Sequence, residues 1–240
     1  MSTLMLRLAA PLQAWGTESH FNTRQAGTSP SKSGVIGLLA AALGLKRDAD
    51  LTELRELRFG VRTDQPGALL RDFHMVHYQK KSRETADVTY RYYLSDAVFL
   101  VGLESENVPL LNTLETALRA PAYPLFLGRR ACPPTLPLVL GIRELPLESA
   151  LRNESWQASE SYQEQWLRIH KENSLMLPLT TEADGTGYGR AMIQDDPISF
   201  DQRNRQHGFR MVEGKNPVCI MLHKYDVPTE HDAFAELEGS

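Results

Sequence analysis

The sequence predicts an α+β fold, with a larger domain over residues 1–149 and a smaller β-rich part over residues 150–240. Three observations lead to this prediction. The first part alternates strand-like apolar patterns with two helix-length apolar patterns. The chain of 240 residues is long enough to bury a large core. After residue 150, Gln, Glu and Ser become frequent, as in SESYQEQW, and a glycine-rich DGTGYG segment follows.

The first strand and the first helix are separated by a long polar loop. Leu4–Ala9 alternates around Arg7 and predicts a strand. Residues 11–33 are rich in Gly, Pro and polar side chains, which predicts a loop. Ser33 is the predicted N-cap of a helix over Val35–Leu45, whose small side chains allow close packing on a sheet.

The next elements predict an extended hairpin. Val88–Leu103 is rich in β-branched and aromatic residues and predicts a strand that follows a partner strand at Ala68–His77. The charged tip between them has no apolar anchor, so the hairpin, at about residues 71–96, stands away from the core. The other predicted elements are helices at Asp50–Leu57 and Val108–Ala120 and strands at Arg58–Thr63 and Leu136–Glu144. Taken in order, the elements give the βαββαβ pattern of a ferredoxin-like (RRM-like) domain with an inserted hairpin.

Charge and cysteine content limit the classes of function. The formal net charge is −4, but residues 1–149 carry 17 Lys and Arg against 15 Asp and Glu, a net charge of +2. Residues 150–240 carry 9 against 15, a net charge of −6, so we expect any polyanion contact in the first part. Cys132 and Cys219 lack metal-ligand spacing. With no signal peptide or membrane-length segment in the sequence, they indicate a cytoplasmic protein.

The segment GTSPSKSGVIG, residues 27–37, runs from a polar loop into a helix. Such loops often hold phosphate, because the first N–H groups of a helix have no intrahelical partner. The spacing does not match a nucleotide-binding P-loop, since Ser31 stands where the second glycine is required. Two interpretations remain: a surface loop with a helix cap, or a polyanion-backbone site that uses Arg24, Lys32 and Ser33.

The hairpin mixes cations with aromatic rings. This mixture suits single-stranded nucleic acid, because cations follow the phosphates and rings stack on bases, although a solvated hairpin tip explains it equally well. The cations are Lys80, Lys81, Arg83 and Arg91. In the loop at residues 121–134, the sequence Gly128-Arg129-Arg130 suits close backbone approach and phosphate binding.

The same hairpin supports an alternative function, metal-independent cleavage of RNA. That chemistry needs a base for the 2′-hydroxyl and an acid for the leaving oxygen. The residues that could supply them are His74, His77, Tyr78, Lys80 and Lys81. The HxxH spacing of the two histidines places them on opposite faces of a strand, which argues against a zinc site.

Three ordered segments resemble a known family. They are LRLAAPLQAWG at residues 6–16, FNTRQAGTSPSKSGVIGLLAAALGL at residues 21–45 and YPLFLGRRACPPTLPL at residues 123–138. Together they resemble the fifth Cas family of the RAMP superfamily, which supplies a subunit of the type I-E CRISPR Cascade complex. The resemblance covers about residues 4–145, whereas the last third matches only in length and character.

The resemblance implies a RAMP ferredoxin-like domain with a thumb hairpin and a role in antiviral defence. In this family the subunit is non-catalytic and holds the 5′ handle of the guide RNA (crRNA). It contacts the backbone subunit and the large subunit that reads the PAM, and it meets target DNA only within the complex. No cofactor, metal or membrane is expected. Type I-C relatives cleave precursor RNA, so the alternative of a metal-independent endoribonuclease for CRISPR repeat RNA stays open.

Position by position, the resemblance also implies an RNA-binding set. The first motif contributes Gln13 and Trp15, with Ala14 and Gly16 beside them. The second motif places Arg24, Lys32 and Ser33 in the handle-binding groove, and the third clamps the handle with Gly128, Arg129 and Arg130. The thumb contributes Lys80, Lys81, Arg83 and Arg91.

Overall fold

The computed structural model describes residues 1–16, 23–24, 27–80 and 83–222. These residues form helices α1 (Lys32–Ala42), α2 (Thr52–Arg55), α3 (Val108–Arg119), α4 (Leu147–Asn153) and α5 (Glu160–His170). Their strands are β1 (Ser2–Ala9), β2 (Leu12–Gln13), β3 (Thr23–Arg24), β4 (Arg58–Gln65), β5 (Ala68–Lys80), β6 (Arg83–Ser95), β7 (Val98–Ser105), β8 (Val139–Arg143), β9 (Ser174–Glu182), β10 (Tyr188–Ser199) and β11 (Gln206–Met221). Within the described ranges, every helix is too short or too polar to cross a membrane.

The main sheet of the described chain has the strand order β10-β11-β9-β4-β7-β1-β8, with every neighbouring pair antiparallel. Along the chain, β1, α1, β4, β7, α3 and β8 follow the predicted order of strands and helices. The hairpin β5–β6, which we name the hairpin arm, lies between β4 and β7 in sequence and forms a second sheet with β2 and β3. The predicted α+β class with antiparallel sheets is confirmed.

Alternate residues of β1 enter two cores on opposite faces of the main sheet. Leu4, Leu6 and Leu8 are buried in the larger core, together with apolar side chains of α1 and α3. Met5 is buried on the other face with apolar side chains of α4. Successive side chains of a strand point to opposite faces, so the continuous apolar character of β1 follows from its burial on both sides.

The strands after residue 150 extend the main sheet. β9 pairs with β4, and Gly60 lies opposite Thr181. The side chain of Arg62 in β4 is fully buried and donates to three carbonyl groups at and just after the end of α4. Carbonyl groups at a helix C-terminus lack intrahelical partners, so Arg62 satisfies them and ties α4 to the sheet. The sheet is continuous across the predicted boundary at residue 149, and the division into domains stays a prediction.

Three local predictions differ from the structure. Ser31 caps α1 instead of Ser33, because its Oγ accepts a hydrogen bond from an N–H of the first turn at 3.2 Å. The helix predicted at Asp50–Leu57 is reduced to the short α2. The strand predicted over Val88–Leu103 is divided at Asp96, where a φ of 55° turns the chain from the hairpin arm into β7.

Candidate nucleic-acid interface

The N-terminus of α1 holds a carboxylate of the chain itself. The backbone N–H of Lys32 donates to Oδ2 of Asp195 at 2.7 Å. Asp195 is buried, and Arg210 donates to its two oxygens through Nε and Nη2 at 2.6 and 2.9 Å. A negative charge is favourable there because the first N–H groups and the helix dipole both point at it. The helix end at which the sequence predicts a phosphate therefore meets Asp195.

The side chain of Lys32 is directed into the protein and is only 4% exposed. Its ammonium donates to Oε1 of Glu182 at 2.7 Å and to the carbonyl oxygen of Arg55 at 2.6 Å. A buried ammonium needs such partners, because an uncompensated charge in the interior is costly. Lys32 therefore joins α1 to β9, and its charge is neutralised within the chain.

Gln13 and Trp15 brace the loop that follows β1. Their side chains are 0% and 1% exposed. Nε1 of Trp15 donates to Oε1 of Gln13 at 2.8 Å, and Nε2 of Gln13 donates to the carbonyl oxygens of Leu8 and Ala97 at 3.2 and 2.6 Å. Both side chains are thus engaged inside the protein, and the surface of this loop is formed by its other atoms.

The three motifs of the sequence meet in space. The N–H of Ala14 donates to the carbonyl oxygen of Leu127 at 3.1 Å. Gly128, with a φ of 86°, lies so close that a Cβ there would overlap the carbonyl oxygen of Ala14. The ring of Trp15 lies against Gly34 of α1, where a Cβ would be 3.0 Å from the ring. These glycines allow segments of the protein itself to approach one another closely.

A basic groove of about 590 Å³ follows the exposed face of α1. Its floor is formed by small residues of α1: Gly34, Gly37, Ala40 and Ala41. Two loops, residues 121–130 and 200–205, contribute its walls, and Ser33 also lines it. Its cations are Lys46, Arg47, Arg130 and Arg205, and its aromatic rings are Tyr123, Phe126 and Phe200. In the described part of the chain, none of the lining residues is acidic.

The wall at residues 121–130 is attached to the C-terminal end of α1. The N–H groups of Ala122 and Tyr123 donate to the carbonyl oxygens of Ala42 and Ala41 at 3.0 and 3.2 Å. The last carbonyl groups of a helix have no intrahelical partner, so these two bonds satisfy them. Neutral backbone groups therefore fix this wall.

The wall at residues 200–205 packs on the middle of α1. A Cβ at Gly37 would lie 3.6 Å from the ring of Phe200, so the ring rests on this turn of the helix. The guanidinium of Arg205 lies 6.0 Å from the centre of the Phe200 ring, and its Nε donates to Nε2 of His207 at 3.2 Å. Burial, together with the charge of Arg205, holds the pKa of His207 below its usual value. The neutral imidazole therefore accepts the hydrogen bond from Arg205.

The two adjacent arginines of the third motif face different regions. Arg130 is exposed and lines the basic groove. The guanidinium of Arg129 lies 4.5 Å from the centre of the Tyr93 ring, at the base of the hairpin arm. Close behind, Cys132 is a buried free thiol, and burial raises its pKa. The motif therefore links the groove to the hairpin arm.

The predicted cations of the hairpin arm fall largely at its tip. Lys81 lies outside the described residues, as do the side chains of Arg24, Lys80 and Arg83. The side chain of Arg91 is half-buried on β6, and its backbone pairs in parallel with that of Arg24 in β3. The second motif, which contains Arg24, therefore lies beside Arg91 of the hairpin arm.

One face of the hairpin arm is apolar. Phe73 lies opposite Tyr90, and Met75 lies opposite Val88, so these four side chains share a face. All four are exposed, with Phe73 at 61% and Met75 at 54%. A contiguous apolar patch of this kind on the surface marks an interaction site.

The residues of the cleavage hypothesis are spread over the hairpin arm. His74 pairs with Asp72 at 3.0 Å and lies on the face opposite to His77. The hydroxyl of Tyr78 donates to Asp87 at 2.8 Å, and this bond raises the pKa of Tyr78, which disfavours the phenolate that a base requires. Within the described ranges, no group of His, Cys, Asp and Glu is arranged to hold a metal ion.

Several residues of the basic groove were missed by the sequence analysis. Lys46 and Arg47 form a basic pair two residues after Gly44, the glycine that follows α1, and the sequence alone could have indicated this pair. Tyr123 lies in the third motif, so the sequence could have indicated it as well. Phe200 and Arg205 carry no local signal and come from the acidic last third, where we expected no polyanion contact. Only the fold brings them to α1.

Comparisons with known proteins agree with the three motifs. Residues 3–213 match the profile of a family described as CRISPR-associated protein (Cas_Cas5). Among curated proteins, CRISPR system Cascade subunit CasD of Escherichia coli (strain K12) is 41% identical over 160 residues, which cover 58% of this chain and 70% of the relative.

Two solved structures are similar over almost their whole length. One, a chain of a CRISPR RNA-guided surveillance complex, has a TM-score of 0.75 and 30% identity, with 91% of each chain covered. The other, described as a crystal structure of a Cas protein, has a TM-score of 0.63 and 37% identity, with 90% of this chain and 95% of that chain covered. From the match over residues 3–213, the chain belongs to the CRISPR-associated Cas5 family.

Proposed function

We propose that this protein is a non-catalytic crRNA-binding subunit of a type I-E CRISPR Cascade complex and that it holds the 5′ handle of the guide RNA. The observation that carries the proposal is the basic groove on α1, which combines four cations with three aromatic rings and, among the residues that the structure describes, has no acidic lining residue. The name of the Escherichia coli relative and the description of the similar surveillance-complex chain support the same role.

The groove has the chemistry that a single-stranded RNA requires. Lys46, Arg47, Arg130 and Arg205 contact phosphates, while Tyr123, Phe126 and Phe200 stack on splayed bases. Phosphate contacts set the register of the strand, and base contacts select the handle. Pairing of the guide with target DNA is left to the RNA itself, so this subunit meets the target only within the complex.

The family-derived site residues divide into two roles in this proposal. Ser33, Gly128 and Arg130 line the groove and contact the handle directly. Gln13, Trp15 and Lys32 act from the interior, by holding the segments that form the groove. Arg129 and the cations of the arm, which are Arg24, Lys80, Lys81, Arg83 and Arg91, extend the RNA path towards the thumb.

The apolar face of the hairpin arm supports contact with other Cascade subunits. Phe73, Met75, Val88 and Tyr90 expose ring and aliphatic surface with few charges, which suits a protein partner. We assign this contact to the backbone subunit and the large PAM-reading subunit, the two partners that the family resemblance implies.

Binding of end-labelled CRISPR repeat RNA in EDTA tests the proposal. We expect Arg130→Ala to weaken binding and to lower the slope of log K against log salt by about 0.7, the value for one lost contact with a single strand. Arg119→Ala removes an exposed cation of α3 outside the groove and serves as the matched control. An unchanged salt slope for Arg130→Ala would contradict the groove assignment.

The same experiment examines catalysis. On a denaturing gel, a non-catalytic subunit leaves the RNA intact. Products that form in EDTA and disappear with His74→Ala would establish a metal-independent endoribonuclease and overturn the non-catalytic role.

A further inference from the structure

The wall of the basic groove at residues 200–205 is connected to α1 through the buried carboxylate of Asp195. Asp195 lies four residues before the end of β10, and Arg210 lies near the start of β11. The pair they form therefore lies close to the hairpin turn that carries Phe200 and Arg205. Through the N–H of Lys32, the same carboxylate is bonded to the first turn of α1.

A β-bulge aims Asp195 at the helix. Ile193 is paired with Arg210 and Asp196 with Gly208, so β10 contains one more residue than β11 over this stretch. Bulges of this kind redirect a side chain and increase the local bend of a strand. Asp195 lies inside the bulge and is 2% exposed, whereas its neighbour Asp196 turns to Arg55 of α2 at 2.6 Å.

We infer that Asp195 is a positioning residue for RNA binding, which fixes Arg205 and Phe200 against α1 through its bonds to Lys32 and Arg210. We name these three residues, Lys32, Asp195 and Arg210, the α1 latch. This inference rests on the proposed function, since it assigns to the latch the placement of one wall of the RNA groove. Asp195 itself does not line the groove and needs no contact with RNA.

The latch acts on one wall only. The wall at residues 121–130 is held by backbone bonds at the other end of α1 and by the contact of Gly128 with Ala14. Loss of the Asp195 charge should therefore displace Arg205 and leave Arg130 in place. If Asp195 only stabilised the protein as a whole, its loss would affect the positions of both arginines equally. A comparison of Arg205 with Arg130 therefore separates the two roles.

A double-mutant cycle in the full-length chain tests the inference, with CRISPR repeat RNA as the probe. We expect Asp195→Asn to weaken RNA binding about fivefold to tenfold, close to the effect of Arg205→Ala, and the two changes together to cost no more than either alone. In the parallel cycle, Asp195→Asn and Arg130→Ala should combine multiplicatively. Multiplicative effects of Asp195→Asn and Arg205→Ala, or unchanged binding by Asp195→Asn, would overturn the inference.

Two further measurements separate the latch from the proposed function. If neither Arg130→Ala nor Arg205→Ala, made as single variants, changes binding, the groove does not hold RNA, and both the proposed function and the inference fail.

Hydrogen exchange of the free protein examines the latch without RNA. Asp195→Asn should raise the exchange rate at residues 200–205 and not at residues 122–130, and an equal change in both loops would contradict the inference. Arg210→Lys keeps the charge but cannot bond both oxygens of Asp195 in the same way, so it should weaken RNA binding less than Asp195→Asn does. This variant replaces Asp195→Asn in the experiments if Asp195→Asn does not fold.

Discussion

The two walls of the basic groove rest on the same helix but are held by different kinds of bond. The wall at residues 121–130 uses neutral N–H and carbonyl groups at the C-terminal end of α1, together with a glycine packed on Ala14. The wall at residues 200–205 is held through the buried carboxylate of Asp195, which pairs with Arg210 and accepts the backbone N–H of Lys32 at the N-terminal end of α1. One helix thus carries a wall fixed by backbone geometry and another fixed by electrostatics.

The difference determines how each wall responds to change. A wall fixed by backbone contacts fails when a side chain is inserted and is insensitive to charge. A wall fixed through a buried carboxylate depends on the partners of that charge, because an uncompensated charge in the interior is costly. Variants that affect one kind of attachment and spare the other therefore test whether the two walls differ in this way.

The largest effect is expected for Gly128→Ala. The residue has a φ of 86°, and its new Cβ would overlap the carbonyl oxygen of Ala14, an atom fixed in the backbone. Strain and overlap together should lower the free energy of unfolding by about 4 kcal/mol, as measured by urea denaturation. Gly16→Ala is the matched control, because a Cβ there meets no atom of the described residues within 4 Å, and its stability should stay within about 0.5 kcal/mol of the wild-type value. Equal stabilities of the two variants would show that the first wall does not depend on this close approach.

An intermediate effect is expected for Lys32→Met, which removes the buried cation that joins the N-terminal end of α1 to β9 and keeps the backbone N–H that is bonded to Asp195. Glu182 and the carbonyl oxygen of Arg55 then lose their partner, and the free energy of unfolding should fall by about 1–3 kcal/mol. Glu182 keeps some contact with water, so the loss is smaller than for a fully buried pair.

Lys46→Met is the matched control for Lys32, since the same substitution is made at an exposed lysine of the groove. Its stability should be unchanged while its RNA binding weakens and its salt slope falls. If Lys32→Met instead left stability intact and reduced the salt slope, Lys32 would contact phosphate directly, as the family resemblance implies, and the structural role described above would be wrong.

The main elements of the fold could be predicted because each has a local signal. The apolar run of β1, the aromatic-rich β6 and the amphipathic α3 each carry the period of their own secondary structure. The exact cap of α1 could not be chosen, because Ser31 and Ser33 are both good caps two residues apart. The pairing of β9 with β4 could not be predicted either, because pairing between strands more than 100 residues apart has no local signature.

The residues of the candidate site were harder to predict from the sequence, because their surroundings also depend on distant parts of the chain. The loop motif and the family resemblance predicted Lys32 and Trp15 as RNA contacts, but burial depends on distant partners such as Glu182, 150 residues away from Lys32 in sequence. Arg130 was placed in the groove by its motif, whereas Arg205 has no motif and lies in an acidic region of the chain. Charge totals averaged over a region do not show where the fold places a single cation.

The smallest effect is expected from pH, and it concerns the charged attachment. Burial and Arg205 lower the pKa of His207, while Asp195 and Asp196 oppose this shift. The unfolded chain therefore binds a proton, near the ordinary pKa of about 6.5, at a pH at which the folded chain does not. Stability should rise with pH between the folded pKa and about 6.5 and become level above it.

His207→Gln separates this effect from the titration of carboxylates. The amide oxygen of glutamine can accept the hydrogen bond from Arg205 without binding a proton in this range. The free energy of unfolding, measured by urea denaturation from about pH 5 to 7.5, should therefore fall less steeply with acid in the variant than in the wild-type protein. At the other wall, Cys132 has a raised pKa and titrates only in alkaline solution, so Cys132→Ala should leave the slope unchanged. If His207→Gln kept the wild-type slope, the pH dependence would come from groups elsewhere, and the contrast between the two walls would rest on the α1 latch alone.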